Sequence, residues 1–212
     1  MRIVKEDVVA TALDLLDEVG MEGLTMRKLA DALRIQAPSL YWHFASKEVL
    51  LEGMADALMA PVARQNPQDE TWDTRLARIA GEVRQALLSH RDAARVFAGT
   101  YPVSENVLRV GSLLIECLKA AGADDRKASW EAFGLVYFVI GFAIEEQSLS
   151  AKAQGGDASA EEDGLLARYP AAALAIREIT AENADVRFEY SLRGQVEALR
   201  ARAAGWGASA AG

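Results

Sequence analysis

A chain of 212 residues, 51% apolar and 25% charged, is long enough to bury a sizeable core and too apolar to remain disordered. Its single cysteine, Cys117, excludes an internal disulfide and any multi-cysteine zinc site, and is expected to be a small core residue. The formal charge of −8 argues on its face against a polyanionic partner, so the distribution of charge along the chain has to decide that point.

The N-terminus, MRIVKEDVV, lacks the cationic start, apolar stretch and small-residue cleavage site of an exported chain, and a cytoplasmic location is expected. From Lys5 to Val19 the residues Val8, Val9, Ala12, Leu13, Leu16 and Val19 recur at helical spacing, with Gly20 as the stop. Thr25 is a plausible N-cap for a short helix from Met26 to Leu33. Pro38 sits where a first helical turn accepts proline, so a very short helix is predicted over Pro38 to His43. Ser46 caps a fourth helix, whose apolar stripe of Val49, Leu50, Gly53, Met54, Ala57 and Leu58 reaches Pro61.

Residues 61–70, PVARQNPQDE, form a polar link with two prolines. Longer helices are predicted beyond it, over Thr71 to His90, Asp92 to Ala98, Ser104 to Ala121, Asp125 to Ser150, Leu165 to Glu178 and Ala184 to Ala203. Residues 151–164 read as a mobile loop and 204–212 as a flexible tail. The nearly apolar run from Ala132 to Ile144 is shorter than the ~20 residues of a membrane span and reads as a buried helix, so no membrane partner is expected. No strand pattern or fixed-period repeat appears, and the expected fold is all-α. The expected domains are 1–46, a three-helix unit; 47–64, a connecting helix; and 65–203, a larger helical domain.

Charge is segregated within the first 50 residues. Glu6, Asp7, Asp14, Asp17, Glu18 and Glu22 occupy a stretch with no Lys or Arg, whereas Leu24 to Lys47 holds Arg27, Lys28, Arg34 and Lys47 against Asp31 alone. Inside that basic stretch lies APSLYWHF, residues 37–44. Leu40 and Phe44 are one helical turn apart and can pack inward together, which leaves Ser39, Tyr41, Trp42 and His43 outward. Two short helices joined by a tight turn describe a helix-turn-helix, whose second helix enters the DNA major groove. Phenol, indole and imidazole combine a flat apolar body with a hydrogen-bond donor, which suits sugar and phosphate oxygens, and Arg27, Lys28 and Lys47 lie alongside.

The segment ALDLLDEVGMEGLTMRKLADALRIQAPSLYWHFASKEVLL resembles the DNA-binding domain of TetR-family transcriptional regulators, with LYWHF.SKE.LL its most specific part. RQALLSHRDAARVFAGTYP and FVIGFAIEEQ resemble the ligand-binding domain of the tetracycline-repressor subfamily. The resemblance implies a repressor that binds a palindromic operator on double-stranded DNA and is released by a small-molecule effector. It implies that Arg27 reads a guanine, that Ala37, Pro38 and Ser39 lie against bases, and that Lys28, Tyr41, Trp42, His43 and Lys47 hold the backbone. Met26 stands in place of that subfamily's threonine, and Ala37 cannot make an amide-to-adenine contact, so a different operator is expected.

The resemblance also implies a homodimer joined by a four-helix bundle drawn from Asp125–Ser150 and Ala184–Ala203. The first of these is apolar around nearly its whole circumference, so one side is expected against the partner and another against a ligand. By matching position, the effector pocket draws on Ile79, Val83, Phe97, Thr100, Leu113, Phe133, Tyr137 and Glu145. Phe97 replaces the subfamily's metal-binding histidine, Ile79 and Leu113 replace its amide contacts, and Ala63 and Tyr137 replace further histidines. A magnesium chelate is therefore not expected, nor is any cofactor or metal, and the implied effector is apolar or aromatic. A shift of residues 92–98 and the turn at 99–102 is expected to press on the helix from Lys47 to Ala60 and spread the two reading heads.

Two rivals belong to other classes. An enzyme would need Cys117 to meet His43 or His90, yet these lie on separate predicted elements, and no phosphate loop, nucleophile elbow or metal-binding His pair is present. A helical adaptor or small-molecule-binding protein without DNA affinity would account for the acidic stretch from Glu6 to Glu22.

Overall fold

Short polar caps, glycines and prolines divide the chain into eleven helices, described for residues 3–65, 67, 69–100, 103–153, 160–181 and 183–206 of the computed structural model. They are α1 (Lys5–Gly23), α2 (Met26–Ala32), α3 (Ala37–Tyr41), α4 (Lys47–Met59), α5 (Trp72–Leu88), α6 (Ala93–Ala98), α7 (Glu105–Ala120), α8 (Asp125–Ala153), α9 (Ala160–Arg168), α10 (Pro170–Thr180) and α11 (Ala184–Trp206). No strand occurs among the described residues, and the fold is all-α.

The predicted caps operate. Thr25 accepts the Lys28 N–H at 3.2 Å and Ser46 accepts the Val49 N–H at 3.4 Å, each satisfying a donor that the first helical turn leaves free. Gly20 does not end α1 but bends it. Its φ of +69° redirects the chain for one more turn to Gly23, a conformation costly for any residue with a Cβ. Val8, Ala12 and Leu16 of α1 meet Leu29, Leu40 and Phe44 in one buried cluster, which continues through Leu50, Met54 and Leu58 of α4 into the larger body.

In that body α5, α7 and α8 pack on one another, with α5 burying Leu76, Ile79, Val83 and Leu87, while α11 lays Phe188, Leu192, Val196 and Leu199 against them. Asp73 ties the two ends of the domain together, accepting from the Thr71 hydroxyl, the Thr74 N–H and the Arg200 guanidinium. Cys117 is buried, and that burial pushes its thiol pKa up, away from the reactive thiolate.

Sequence expectations for the C-terminal half also need correction. The single helix predicted over Leu165 to Glu178 is two, broken at Tyr169, because Pro170 lacks an N–H and disfavours the helical conformation of the residue before it. The predicted loop over 151–164 is partly helical, since α8 continues to Ala153 and α9 begins at Ala160; residues 154–159 lie outside the described ones. The predicted tail begins too early: α11 runs to Trp206, whose indole is buried against the body, and 207–212 lie outside the described residues.

The buried helix expected around Ala132 to Ile144 is buried along one side only. Ala128, Ala132, Leu135, Val139 and Ala143 of α8 face the body, whereas Trp130, Phe133 and Tyr137 point away from it, because 3.6 residues per turn place them on the opposite flank. Among the described residues, only α8 is long and apolar enough, over Asp125–Leu149, to cross a bilayer; its packed alanine and leucine flank is that of a core helix.

Candidate functional site

The crowded octamer resolves as its spacing demands. Leu40 and Phe44 are buried, and the Phe44 ring lies so close to α4 that a Cβ on Gly53 would meet it at 2.9 Å. The intervening residues are thereby forced outward, leaving Trp42 89% and Tyr41 49% exposed. Arg27 and Lys28 of α2 and Pro38 and Ser39 of α3 are exposed, Ala37 and His43 are half-buried, and the two helices pack against each other. Lys47 stands apart: its ammonium donates to the Met21 carbonyl at 3.3 Å, fastening the start of α4 to the end of α1.

The acidic end of α1 meets the segment between α5 and α6. Asp17 accepts the Arg91 N–H at 2.7 Å and lies 2.7 Å from His90 Nδ1; Glu22 pairs with Arg95; and Asp92, held at φ +57°, accepts the Met21 N–H at 3.0 Å. Gln147 of α8 supports this segment from the other side, donating to the carbonyls of Leu87 (3.0 Å) and His90 (2.8 Å). A second joint links α4 to α7. Asp56 accepts the Asn106 N–H and side-chain amide, both at 2.8 Å, and Arg109 donates to the carbonyls of Val62 (2.7 Å) and Met59 (3.0 Å). Each helix thus supplies the charge that the other's end favours. Burial pushes the Asp56 carboxyl up, but its hydrogen bonds outweigh that and hold it below the usual range.

The sequence assigns none of these residues to a joint: it offers His90 only as a catalytic partner of Cys117, and Asp17 and Glu22 only as members of an acidic run. Nothing in the spacing marks Gln147, Asp56 or Arg109, whose partners in these joints lie 47 or more residues away.

The eight residues expected to hold an effector fall into two groups within one protomer. Ile79 and Val83 are core residues, with Phe97 and Leu113 half-buried against the same cluster. Thr100 donates its hydroxyl to the Phe97 carbonyl at 2.9 Å, and the rest of the predicted turn, 101–102, lies outside the described residues. Phe133, Tyr137 and Glu145 point outward from α8, the two rings 5.9 Å apart between centroids. Only a covering element from elsewhere could enclose both groups. A groove of about 990 Å³ opens elsewhere, between α5, residues 61–65 and α11, and none of the eight lines it.

That groove exposes the edge of a buried polar node. Arg84, 3% exposed, makes two bonds to Glu146 at 2.8 and 3.0 Å and one to Asp185 at 2.7 Å, with its guanidinium 4.7 Å from the Phe188 ring centroid and 5.6 Å from that of Phe142. It joins α5, α8 and α11 at one point.

The sequence matches the family described as bacterial regulatory proteins, tetR family, over residues 8–54, and the one described as tetracyclin repressor-like, C-terminal domain, over residues 65–202. It is 37% identical to the tetracycline repressor protein class A from transposon 1721 of Escherichia coli over 201 residues, 92% of this chain and 89% of that protein. Its fold is similar to that of a possible TetR family transcriptional regulator from Streptomyces coelicolor A3(2), with TM-score 0.82 and 38% identity over 93% of this chain and 99% of that one. It is also similar to BioQ solved with its double-stranded DNA operator, with TM-score 0.69 and 29% identity over 94% and 99% of the two chains.

Proposed function

The chain belongs to the TetR family of bacterial regulators and is a ligand-responsive DNA-binding transcriptional regulator, and from that premise we propose how its parts divide the work. It acts as a repressor, a homodimer whose two α3 helices enter successive major grooves of a palindromic operator. The observation that carries this reading is the outward pair Tyr41 and Trp42 at the end of α3, which packs against the helix that carries exposed Arg27 and Lys28, flat donors and cations left facing solvent. Arg27 reads a guanine, Ala37, Pro38 and Ser39 lie against base edges, and Lys28, Tyr41, Trp42 and His43 hold sugar and phosphate oxygens. Lys47 contributes charge near the backbone while its ammonium remains on the Met21 carbonyl.

Two copies meet through α8 and α11 as a four-helix bundle. The outward seam of α8 alternates Trp130 and Tyr137 with Gly134 and Gly141, which have nothing near their Cβ positions, and α11 presents Val186 and Tyr190. Large apolar residues exposed at this spacing favour a helical partner. The same association covers Phe133, Tyr137 and Glu145 and closes an effector site with Phe97, Thr100 and Leu113, Ile79 and Val83 forming its back wall. An apolar or aromatic effector suits that lining, and Phe97 offers no lone pair for a metal chelate.

Effector binding displaces α6, and the joints at Asp92 and at Asp56–Arg109 pass the displacement to α1 and α4, changing the separation of the reading heads. The effector must bind the spread state more tightly, since equal affinity for both states shifts nothing. Selection of bound fragments from genomic DNA, with sedimentation of the free protein, tests the arrangement: dimers that recover a palindromic site support it, and monomers that retain no fragment at low salt overturn it. Quenching of Trp fluorescence by a panel of hydrophobic small molecules, with operator release, tests the effector class; a response confined to polar metal chelates overturns it.

A further inference from the structure

We propose that Gln36 is a specificity-determining residue of the operator contact, reading an adenine through its side-chain amide; the assignment rests on the DNA-binding reading above. Gln36 occupies the N-cap position of α3 in extended conformation (φ −77°, ψ 139°), is exposed, and makes no side-chain capping bond. That position favours a short acceptor that can fold back on the helix. The neighbouring helices obey the rule with Thr25 and Ser46, each bonded to the N–H three residues on, whereas α3 carries a long amide that does not cap. Other helices of the chain also begin without a side-chain cap, so what matters at α3 is the group left over: an exposed amide, with no side-chain hydrogen bond to another described residue, at the tip of the second helix of the pair.

The chemistry at this tip is sparse. Gln36 is the only Asn or Gln between Leu24 and Lys47, and the next two residues, Ala37 and Pro38, have no side-chain hydrogen-bonding group. In a helix-turn-helix the residues at the start of the second helix meet the base edges. A planar amide offers one donor and one acceptor side by side, which match N7 and the N6 amino group of adenine; guanine presents two acceptors there and suits a guanidinium such as that of Arg27. Gln36 is neutral and adds nothing to the phosphate attraction that sets salt dependence.

The experiment uses the full chain as its natural oligomer. Selection from a randomised duplex pool defines the wild-type site, and every single-base variant of that site is then titrated with wild-type protein, Gln36→Ala and Gln36→Glu at two salt concentrations. The expected wild-type result is one symmetric position per half-site where adenine is preferred by about 5- to 150-fold, the discrimination of a good bidentate pair. Gln36→Ala should flatten that position alone and leave the salt slope unchanged. Gln36→Glu, which can only accept, should move the preference toward cytosine, whose N4 amino group donates. Gln36 is exposed, so each variant should fold as the wild type does, and thermal melting checks this. The assignment is overturned if Gln36→Ala keeps the wild-type preference everywhere, weakens all sequences by one common factor, or relaxes a position where the wild type prefers another base. Wild-type protein that selects no sequence would overturn the DNA-binding reading itself and this assignment with it.

Discussion

Replacing Arg84 with methionine should be among the most destabilising single changes in the larger domain, and its size follows from the surroundings of the guanidinium. Burial alone would lower the Arg84 pKa, but bonds to Glu146 and Asp185 outweigh it and raise the pKa, so the group is charged in the folded protein. Removing one member of a buried ion pair strands the other at about 3–5 kcal/mol, whereas an exposed carboxylate loses about 1 kcal/mol or less. The Glu146 side chain is 17% exposed and that of Asp185 80%, so the loss is assigned to Glu146 and to the lower end of the range, about 3 kcal/mol. For a chain of this size that is a fall in Tm of roughly 6–12 °C. The assay is thermal unfolding by far-ultraviolet circular dichroism at one fixed protein concentration, since association contributes to the apparent stability. Arg84→Met/Glu146→Met should recover at least half of the loss, because an apolar pair no longer leaves a buried charge unpaired. A single variant within about 1 kcal/mol of wild type, or a double variant no better than the single, would refute the argument.

Trp42→Ala should leave stability within about 0.5 kcal/mol, because the indole packs on little, yet weaken operator binding about tenfold; fluorescence anisotropy showing less than a twofold change would count against its contact role. The Thr71 hydroxyl is the main cause of an Asp73 pKa of about 2, with burial opposing it and Arg200 assisting. A depressed carboxyl stabilises the fold above the unfolded pKa of about 3.9 and loses that contribution as pH falls through the folded value. Asp73→Asn should therefore be less stable than wild type by about 1–2 kcal/mol at pH 6, with the difference closing between pH 4 and 2; a difference independent of pH would exclude the charge as its source. Gly20→Ala places a Cβ 3.0 Å from Asp92 Oδ2 at a φ of +69°, so it should cost about 1 kcal/mol or more and speed hydrogen exchange at the Met21 amide, which Asp92 holds. Unchanged exchange there would mean that the joint tolerates the side chain.

What the sequence revealed was local. Thr25, Ser46 and Pro38 signalled their helix starts because a cap acts on groups two or three residues away, and Leu40 with Phe44 fixed which rings of the octamer face solvent. The break at Tyr169 was legible in principle, since Pro170 stands directly after it. Contacts between distant segments were not. Arg84 reads as one more surface cation on an amphipathic helix until α8 and α11 bring Glu146 and Asp185 to it across 62 and 101 residues. The proposed effector residues show the same limit: periodicity marks Phe133 and Tyr137 as apolar positions on α8, but it cannot distinguish a flank that packs within the chain from one that is left exposed.

The pairing of Glu22 with Arg95, and of Asp17 with the Arg91 N–H, offsets part of the negative charge of α1 at the surface, while α2 keeps two exposed cations, Arg27 and Lys28, against Asp31. An overall anion can then approach a duplex productively in only one attitude: collisions made with any other side are repelled before they commit, and the few that arrive cation-first are drawn in and aligned. The price of so many carboxylates elsewhere is a slower capture by random sequence, which leaves the molecule free to search rather than idle on the first helix it meets.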